Sequence, residues 1–182
     1  MPGMRPASVY PAAMVVEALF HLAAALLILS GGAKLGDPAP TQGALRSARL
    51  PAGRPAVWLL ALAEIGAGVA GLLYGGAAAL GVGAIYLGFA AFVGLALLRR
   101  IPLQSCGCFG QEDTPPTRLH LMVNLAAGLA GLSVAAGGGG SLLETLRSQM
   151  WGGVLYMGFL TVGVAALILM LTSLARLQAG RR

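Results

Sequence analysis

The stretch A-A-M-V-V-E-A-L-F-H-L-A-A-A-L-L-I-L-S-G-G-A, from Ala12 to Ala33, decides the class of this protein. As a helix rising about 1.5 Å per residue, it covers the roughly 30 Å of a bilayer's hydrocarbon layer. It is longer than the apolar core of a secretory signal, which has about 7–15 residues. We therefore expect a first membrane helix that is kept, rather than a cleaved leader.

The composition agrees with a membrane protein. The chain has 182 residues, of which 57% are hydrophobic and only 10% are charged, whereas a soluble domain has about 25% charged residues. A chain of this length cannot bury so much apolar surface in one globular core. The net charge of +6 comes from basic residues scattered between apolar runs, without the basic stripe of a nucleic-acid surface. The expected partner is the lipid bilayer, and nucleic-acid binding is excluded.

Five apolar segments are long enough to span a membrane. They lack the alternation of barrel strands, so only helices satisfy the backbone in lipid. We predict an all-α fold, a multi-pass transmembrane helical bundle of about five spans, with a four-helix core and one C-terminal helix in a single domain over residues 1–182. The predicted spans are Ala12–Ala33, Ala56–Tyr74, Ala77–Leu98, Leu119–Ala136 and Gly153–Leu174.

The connections between the spans differ in character. Residues 36–55 form a polar, proline-punctuated loop, whose centre predicts a short interfacial helix. Gly75-Gly76 predicts a tight turn between two antiparallel helices, and residues 137–140 form a glycine-rich linker. Residues 99–118 form a cysteine loop. Small residues four apart, as at Gly71 and Gly75, predict close helix packing.

The charge distribution predicts the topology. With five spans, one side carries Arg5 and Arg147, whereas the other carries ten basic residues. The positive-inside rule places the second group in the cytoplasm. We therefore expect an inner or plasma membrane protein with the N-terminus outside and the cysteine loop inside. The ten residues are Lys34, Arg46, Arg49, Arg54, Arg99, Arg100, Arg118, Arg176, Arg181 and Arg182.

The stretch S-C-G-C-F-G-Q contains both cysteines of the chain, Cys106 and Cys108. A disulfide between them would close a small, strained ring, and strain makes a disulfide easier to reduce. Gly107 gives the backbone the freedom that such a ring requires. This pattern favours a redox pair near the membrane surface.

Two alternatives remain open for these cysteines. The thiolates and the nearby His120 could bind a soft metal ion such as Cu(I) or Zn(II), although a structural zinc site normally has four ligands. The cysteines could also be inert residues of a turn. Spacing alone does not choose among the three hypotheses.

Polar residues inside the spans are further candidates. Glu64 lies near the middle of its span, where an ionisable group costs about 3 kcal/mol and is a functional candidate. Lys34 could snorkel to the interface, cap its helix or meet Asp37. His21 favours a structural role, and Asn124 favours a hydrogen bond between helices.

Three stretches resemble the methylamine utilisation protein MauE family, within the broader MauE/DoxX-like redox-associated membrane proteins. They are S-G-G-A-K-L-G-D-P from Ser30 to Pro38, L-A-L-A-E-I-G-A-G from Leu60 to Gly68, and S-C-G-C-F-G-Q followed by Asn124-Leu125. The resemblance implies a helical bundle in which Cys106 and Cys108 form the redox pair. It also implies that Lys34, Asp37 and Glu64 are family-pattern positions. Separately from the resemblance, the residues themselves make His120 and Asn124 auxiliary candidates.

The resemblance also implies a role in the maturation of disulfide-rich partners, the methylamine dehydrogenase light chain being the family's name-giving case. We expect a membrane thiol–disulfide redox protein; if it is an enzyme, it is a thiol–disulfide oxidoreductase. A thioredoxin-like partner and a secreted or periplasmic client would complete the system. By analogy with other membrane thiol oxidases, a quinone is a candidate electron acceptor. The alternatives are a soft-metal-binding or transport protein and a non-catalytic assembly factor.

Overall fold

Each of the five apolar segments forms a helix long enough and apolar enough to cross a membrane, which confirms the predicted class. The computed structural model describes residues 10–101, 117–137, 139–147 and 152–179. Within these ranges the ordered elements are helical. The spans cover Ala13–Gly36, Arg54–Tyr74, Gly76–Leu98, Arg118–Gly137 and Gly153–Leu171.

Seven α-helices follow one another along the described chain. The membrane helices are joined by short elements, including a 3-10 turn at Gly76–Ala78. A short helix at residues 39–47 confirms that the centre of the first loop is helical, and its interfacial position stays a prediction. The helices are α1 (Tyr10–Gly36), α2 (Ala39–Ser47), α3 (Arg54–Tyr74), α4 (Ala79–Leu98), α5 (Arg118–Gly137), α6 (Leu142–Arg147) and α7 (Gly152–Ala179).

The membrane helices alternate in direction, which gives the bundle two ends. At one end α1 and α4 finish and α3 and α5 begin; six exposed arginines lie there, and we call it the arginine end. At the other end α3 and α5 finish and α4 and α7 begin; we call it the linker end. The six arginines are Arg46, Arg49, Arg54, Arg99, Arg100 and Arg118.

The core lies between α1, α3, α4 and α5. Phe20 and Leu27 of α1 are almost fully buried there, together with Val82 of α4 and Val134 of α5. Tyr86 joins two of these helices, because its hydroxyl donates a 2.9 Å hydrogen bond to the backbone oxygen of Ala23. The four helices therefore form one packed unit.

Helix α7 packs on the outside of this unit. Its Leu160 and Val164 contact Leu22 and Leu26 of α1. Most of its other described side chains are exposed, as expected for a helix surrounded by lipid. The arrangement confirms a four-helix core with one C-terminal helix beside it.

Helices α1 and α3 approach closely because glycine stands at two contact points. A Cβ on Gly31 would lie 2.6 Å from the backbone oxygen of Ala61, and one on Gly68 would lie 2.6 Å from that of Ala24. No side chain fits at such distances. Glycine therefore sets the spacing of these two antiparallel helices, as small residues do in other membrane bundles.

The predicted tight turn at Gly75-Gly76 is present and is bound to the glycine-rich linker. Both glycines have positive φ, at 57° and 45°, a conformation that favours residues without a Cβ. The amide of Gly76 donates a 2.8 Å hydrogen bond to the oxygen of Gly139. This contact holds the linker against the start of α4.

Candidate functional site

The centre of the candidate site is an ion pair buried between α1 and α3. Lys34 Nζ donates a 2.9 Å hydrogen bond to Oε2 of Glu64 and a 2.6 Å hydrogen bond to Oγ of Ser30. The lysine and glutamate side chains are 3% and 0% exposed. The ring centre of Phe89, on α4, lies 5.7 Å from Nζ. Three helices therefore contribute to one enclosed charged group.

The geometry of the pair follows from the antiparallel arrangement of its helices. Side chains on an α-helix lean toward the helix N-terminus. Lys34 lies near the end of α1, so its side chain leans away from the arginine end and into the bundle. Glu64 lies in the middle of α3, which begins at the arginine end, so its side chain leans toward the lysine. The two side chains thus converge from opposite directions.

Such a pair is expensive to separate. Burying an unpaired charge costs far more than burying a matched pair, and removing one partner of a buried pair typically costs about 3–5 kcal/mol. Oε1 of Glu64 is also enclosed and has no hydrogen-bond partner among the residues that the structure describes. The carboxylate therefore depends on Lys34 for most of its compensation.

A second set of polar residues lies on α5, on the same side of the bundle. His120 and Asn124 are one helical turn apart and are 4% and 7% exposed. Nδ1 of His120 lies 2.9 Å from the hydroxyl oxygen of Thr117, whose backbone amide also points at Nδ1 at 3.4 Å. A backbone amide can only donate, so Nδ1 accepts and the neutral ring carries its proton on Nε2.

The predicted site residues are only partly brought together. Lys34 pairs with Glu64. Contact with Asp37, which was one of the three roles expected for this lysine, is not its interaction here. Asp37 instead accepts a 3.1 Å hydrogen bond from the amide of Ala39, where α2 begins. The sequence pattern indicated no role for Ser30 or Phe89. For the serine, the available signal was its four-residue spacing from Lys34, which places both on one helix face.

Cys106 and Cys108 lie outside the described residues. The connection that contains them leaves α4 and enters α5 at the arginine end. Ile101 packs there with Ala44 of α2 and Ala96 of α4. Within the described ranges, no three His, Cys, Asp or Glu residues form a group that could bind a metal ion. The soft-metal hypothesis, which needs both cysteines, stays a prediction.

A separate polar contact joins α1 to the linker and to α7. Nε2 of His21 lies 2.8 Å from the backbone oxygen of Gly140, and Nδ1 lies 2.6 Å from the hydroxyl of Tyr156. The carbonyl can only accept, so Nε2 carries the proton and Nδ1 accepts from the tyrosine. The ring is fully buried. This bonding supports the structural role that the sequence favoured for His21.

Comparison with protein families gives one match. The family model described as methylamine utilisation protein MauE matches residues 12–142. The chain belongs to the MauE family. Comparison with curated proteins and with solved structures gives no match.

The match defines which parts of this MauE-family protein are shared with the family model. It includes the ion pair of Lys34 and Glu64, the cysteine loop, and His120 and Asn124. It ends before α7, which begins at Gly152. The hydrogen bond between His21 and Tyr156 therefore joins the family region to a helix outside it.

Proposed function

We propose that this MauE-family protein is a membrane thiol–disulfide redox protein that supports disulfide formation in a partner protein. The observation that carries the proposal is that the chain has two cysteines, Cys106 and Cys108, separated by one glycine. In the proposed cycle their disulfide exchanges with two thiols of a client. The client leaves with a disulfide, and the pair is left as a dithiol.

The dithiol must then be oxidised again. The expected acceptor is the disulfide of a thioredoxin-like partner, which would be reduced to a dithiol by a second exchange; a quinone remains the alternative acceptor. A strained disulfide suits this role because it is readily reduced by exchange. The pair would thus carry two electrons between two proteins at the membrane surface.

The position of the connection supports access by a protein partner. It begins beyond Ile101 and ends before Thr117, at the arginine end of the bundle. We propose, from the positive-inside rule, that this end faces the cytoplasm and the N-terminus faces the outside. A secreted client would then be served through a cytoplasmic exchange partner, or the loop would be reachable from both sides.

Thiol labelling tests the proposal directly. The purified protein should accept two PEG-maleimide groups after reduction and none after mild oxidation, because the pair forms a disulfide. Cys106→Ser and Cys108→Ser should each label once under both conditions, and one of them should trap a mixed disulfide with the partner in cells. The double-serine variant is the matched control.

Three results would contradict the redox function. Thiols of the wild-type protein that remain alkylatable under strong oxidant would exclude the disulfide. A stoichiometric thiophilic metal that is lost on cysteine substitution would favour the metal-binding alternative. Full complementation by the double-serine variant would favour a non-catalytic assembly factor.

A further inference from the structure

A small cavity lies between α1, α4, α5 and α7, close to the buried ion pair. Its volume is about 30 Å³. Ser30, His120 and Asn124 contribute polar groups to its wall, whereas much of the remaining wall is aliphatic or aromatic, as at Leu171 of α7. A cavity of this size has room for about one water molecule.

Asn124 contributes a buried amide to the wall of the cavity. Its side chain is 7% exposed and makes no hydrogen bond within the described part of the chain. An amide has two N–H donors and a carbonyl acceptor, and leaving such a group buried and unpaired costs about 1–3 kcal/mol. A polar occupant at the cavity wall would remove this cost.

His120 supplies a second group at the same wall. Thr117 holds Nδ1 as an acceptor, so Nε2 carries a proton that it can donate. None of the described residues accepts a hydrogen bond from Nε2. The ring therefore has a directed donor that meets no acceptor among the residues that the structure describes.

Ser30 connects the cavity to the ion pair. Its hydroxyl oxygen accepts a hydrogen bond from Lys34, its side chain is also hydrogen-bonded to Glu64, and the residue lines the cavity. Lys34 in turn donates to Glu64. A water molecule in the cavity would meet two to four polar partners, which is the requirement for a buried water.

We propose that the cavity is a buried water site, and that this water joins His120 and Asn124 to Ser30. The Lys34–Glu64 pair then becomes part of a hydrogen-bonded path that begins at Thr117, at the arginine end. The titratable groups along this path are Lys34 on α1, Glu64 on α3, Tyr86 on α4 and His120 on α5; α7 contributes Leu171. The proposal goes beyond the redox function and does not depend on the cysteines.

Radiolytic labelling in H₂¹⁸O tests the water site on the purified full-length protein in nanodiscs. Hydroxyl radicals formed from a buried water label the rings beside it. Tyr86 lines the cavity and is 6% exposed, whereas Phe20 lies in the same core at 0% exposure and does not line the cavity. We expect ¹⁸O incorporation at Tyr86 to be several-fold faster than at Phe20. Equal, slow labelling of the two rings would overturn the proposal.

Substitutions provide the second arm of the test. Asn124→Leu removes the amide and fills space, so the labelling of Tyr86 should fall to the level of Phe20. Ser133→Ala, at an exposed position of the same helix, should leave it unchanged. Should Asn124→Leu fail to fold, His120→Phe provides the same comparison. Unchanged labelling in a folded variant, or an organic ligand found at the site, would overturn the proposal.

A thermodynamic cycle tests the bridge itself. If one water joins Asn124 to Ser30, the shifts in Tm caused by Asn124→Leu and Ser30→Ala should not add in the double variant, because either change removes the shared water. The shifts of Asn124→Leu and Ser133→Ala should add. Additive shifts for Asn124 and Ser30 would contradict a bridging water.

Discussion

Lys34 and Glu64, 30 residues apart in sequence, form a 2.9 Å ion pair with almost no exposed side-chain surface. The pair lies within two helices that are long and apolar enough to cross a membrane. This ion pair is therefore a buried contact between two helices and not a solvent-exposed surface pair. It fixes α1 against α3, and its removal can be tested one charge at a time.

Breaking the pair should destabilise the protein, and removing both charges should restore much of the loss. Lys34→Met leaves the buried carboxylate unpaired, and Glu64→Leu leaves the buried ammonium unpaired. Each single change should lower the free energy of unfolding by about 3–5 kcal/mol, whereas replacing both charges with apolar groups is often close to neutral. Unfolding in mixed micelles measures the cycle.

The exposed Arg46→Met serves as a charge-removal control and should have little effect. A double variant as unstable as the sum of the two single variants would contradict the pairing. A double variant that folds but has lost its redox function would show that the pair contributes more than stability.

The glycine contacts between α1 and α3 should not tolerate a methyl group. Gly31→Ala and Gly68→Ala each place a Cβ 2.6 Å from a backbone oxygen, so the helices must move apart. Overpacking of this kind typically costs about 1–3 kcal/mol. Thermal unfolding in detergent measures the loss.

Gly32→Ala and Gly66→Ala are the matched controls, because a Cβ at either position meets no atom within 4 Å. Alanine has the higher helix propensity, so these changes should be neutral or slightly stabilising. If all four variants had the same stability, the close approach of the two helices would be wrong.

The hydrogen bonds of His21 should hold α7 and the linker to the core. His21→Ala leaves the oxygen of Gly140 and the hydroxyl of Tyr156 without their partner, at about 1–3 kcal/mol for each buried group left unpaired. We expect faster proteolysis in the segment that joins α5 to α7. Tyr156→Phe removes only one bond and should have the smaller effect.

Tyr74→Phe is the control, since this tyrosine is 75% exposed. Its proteolysis rate should equal that of the wild type. Unchanged proteolysis in both His21→Ala and Tyr156→Phe would show that the apolar contacts of α7 are sufficient to hold it.

The proposed orientation can be tested with single cysteines at the two ends. In a background with both native cysteines replaced by serine, Ser47→Cys reports on the arginine end and Glu144→Cys on the linker end; both positions are exposed. An impermeant maleimide added to intact cells should label the second and not the first. The reverse pattern would place the cysteine loop outside and allow direct contact with a secreted client.

Much of the fold could be predicted from the sequence because hydropathy and glycine content act locally. The five spans, the short helix in the first loop and the turn at Gly75 and Gly76 all follow from short windows of sequence. The positions of closest helix contact could not be predicted in this way, because the sequence has 28 glycines and does not show which of them lie at a contact. Only the packing distinguishes Gly31, where an added Cβ would clash with α3, from its neighbour Gly32, where an added Cβ would meet no atom within 4 Å.

The candidate site divides in the same way. The sequence by itself determined that Glu64 and Lys34 lie in or at the end of apolar helices, where a charge must find compensation. It left three roles open for Lys34: snorkelling to the membrane interface, capping the end of its helix, or pairing with Asp37. Only the tertiary structure shows that the partner of Lys34 is Glu64. The pair forms because α1 and α3 run antiparallel at close distance and the two side chains lean toward each other. Which residues of two helices face each other depends on the relative register of the helices, and a short window of sequence does not specify that register.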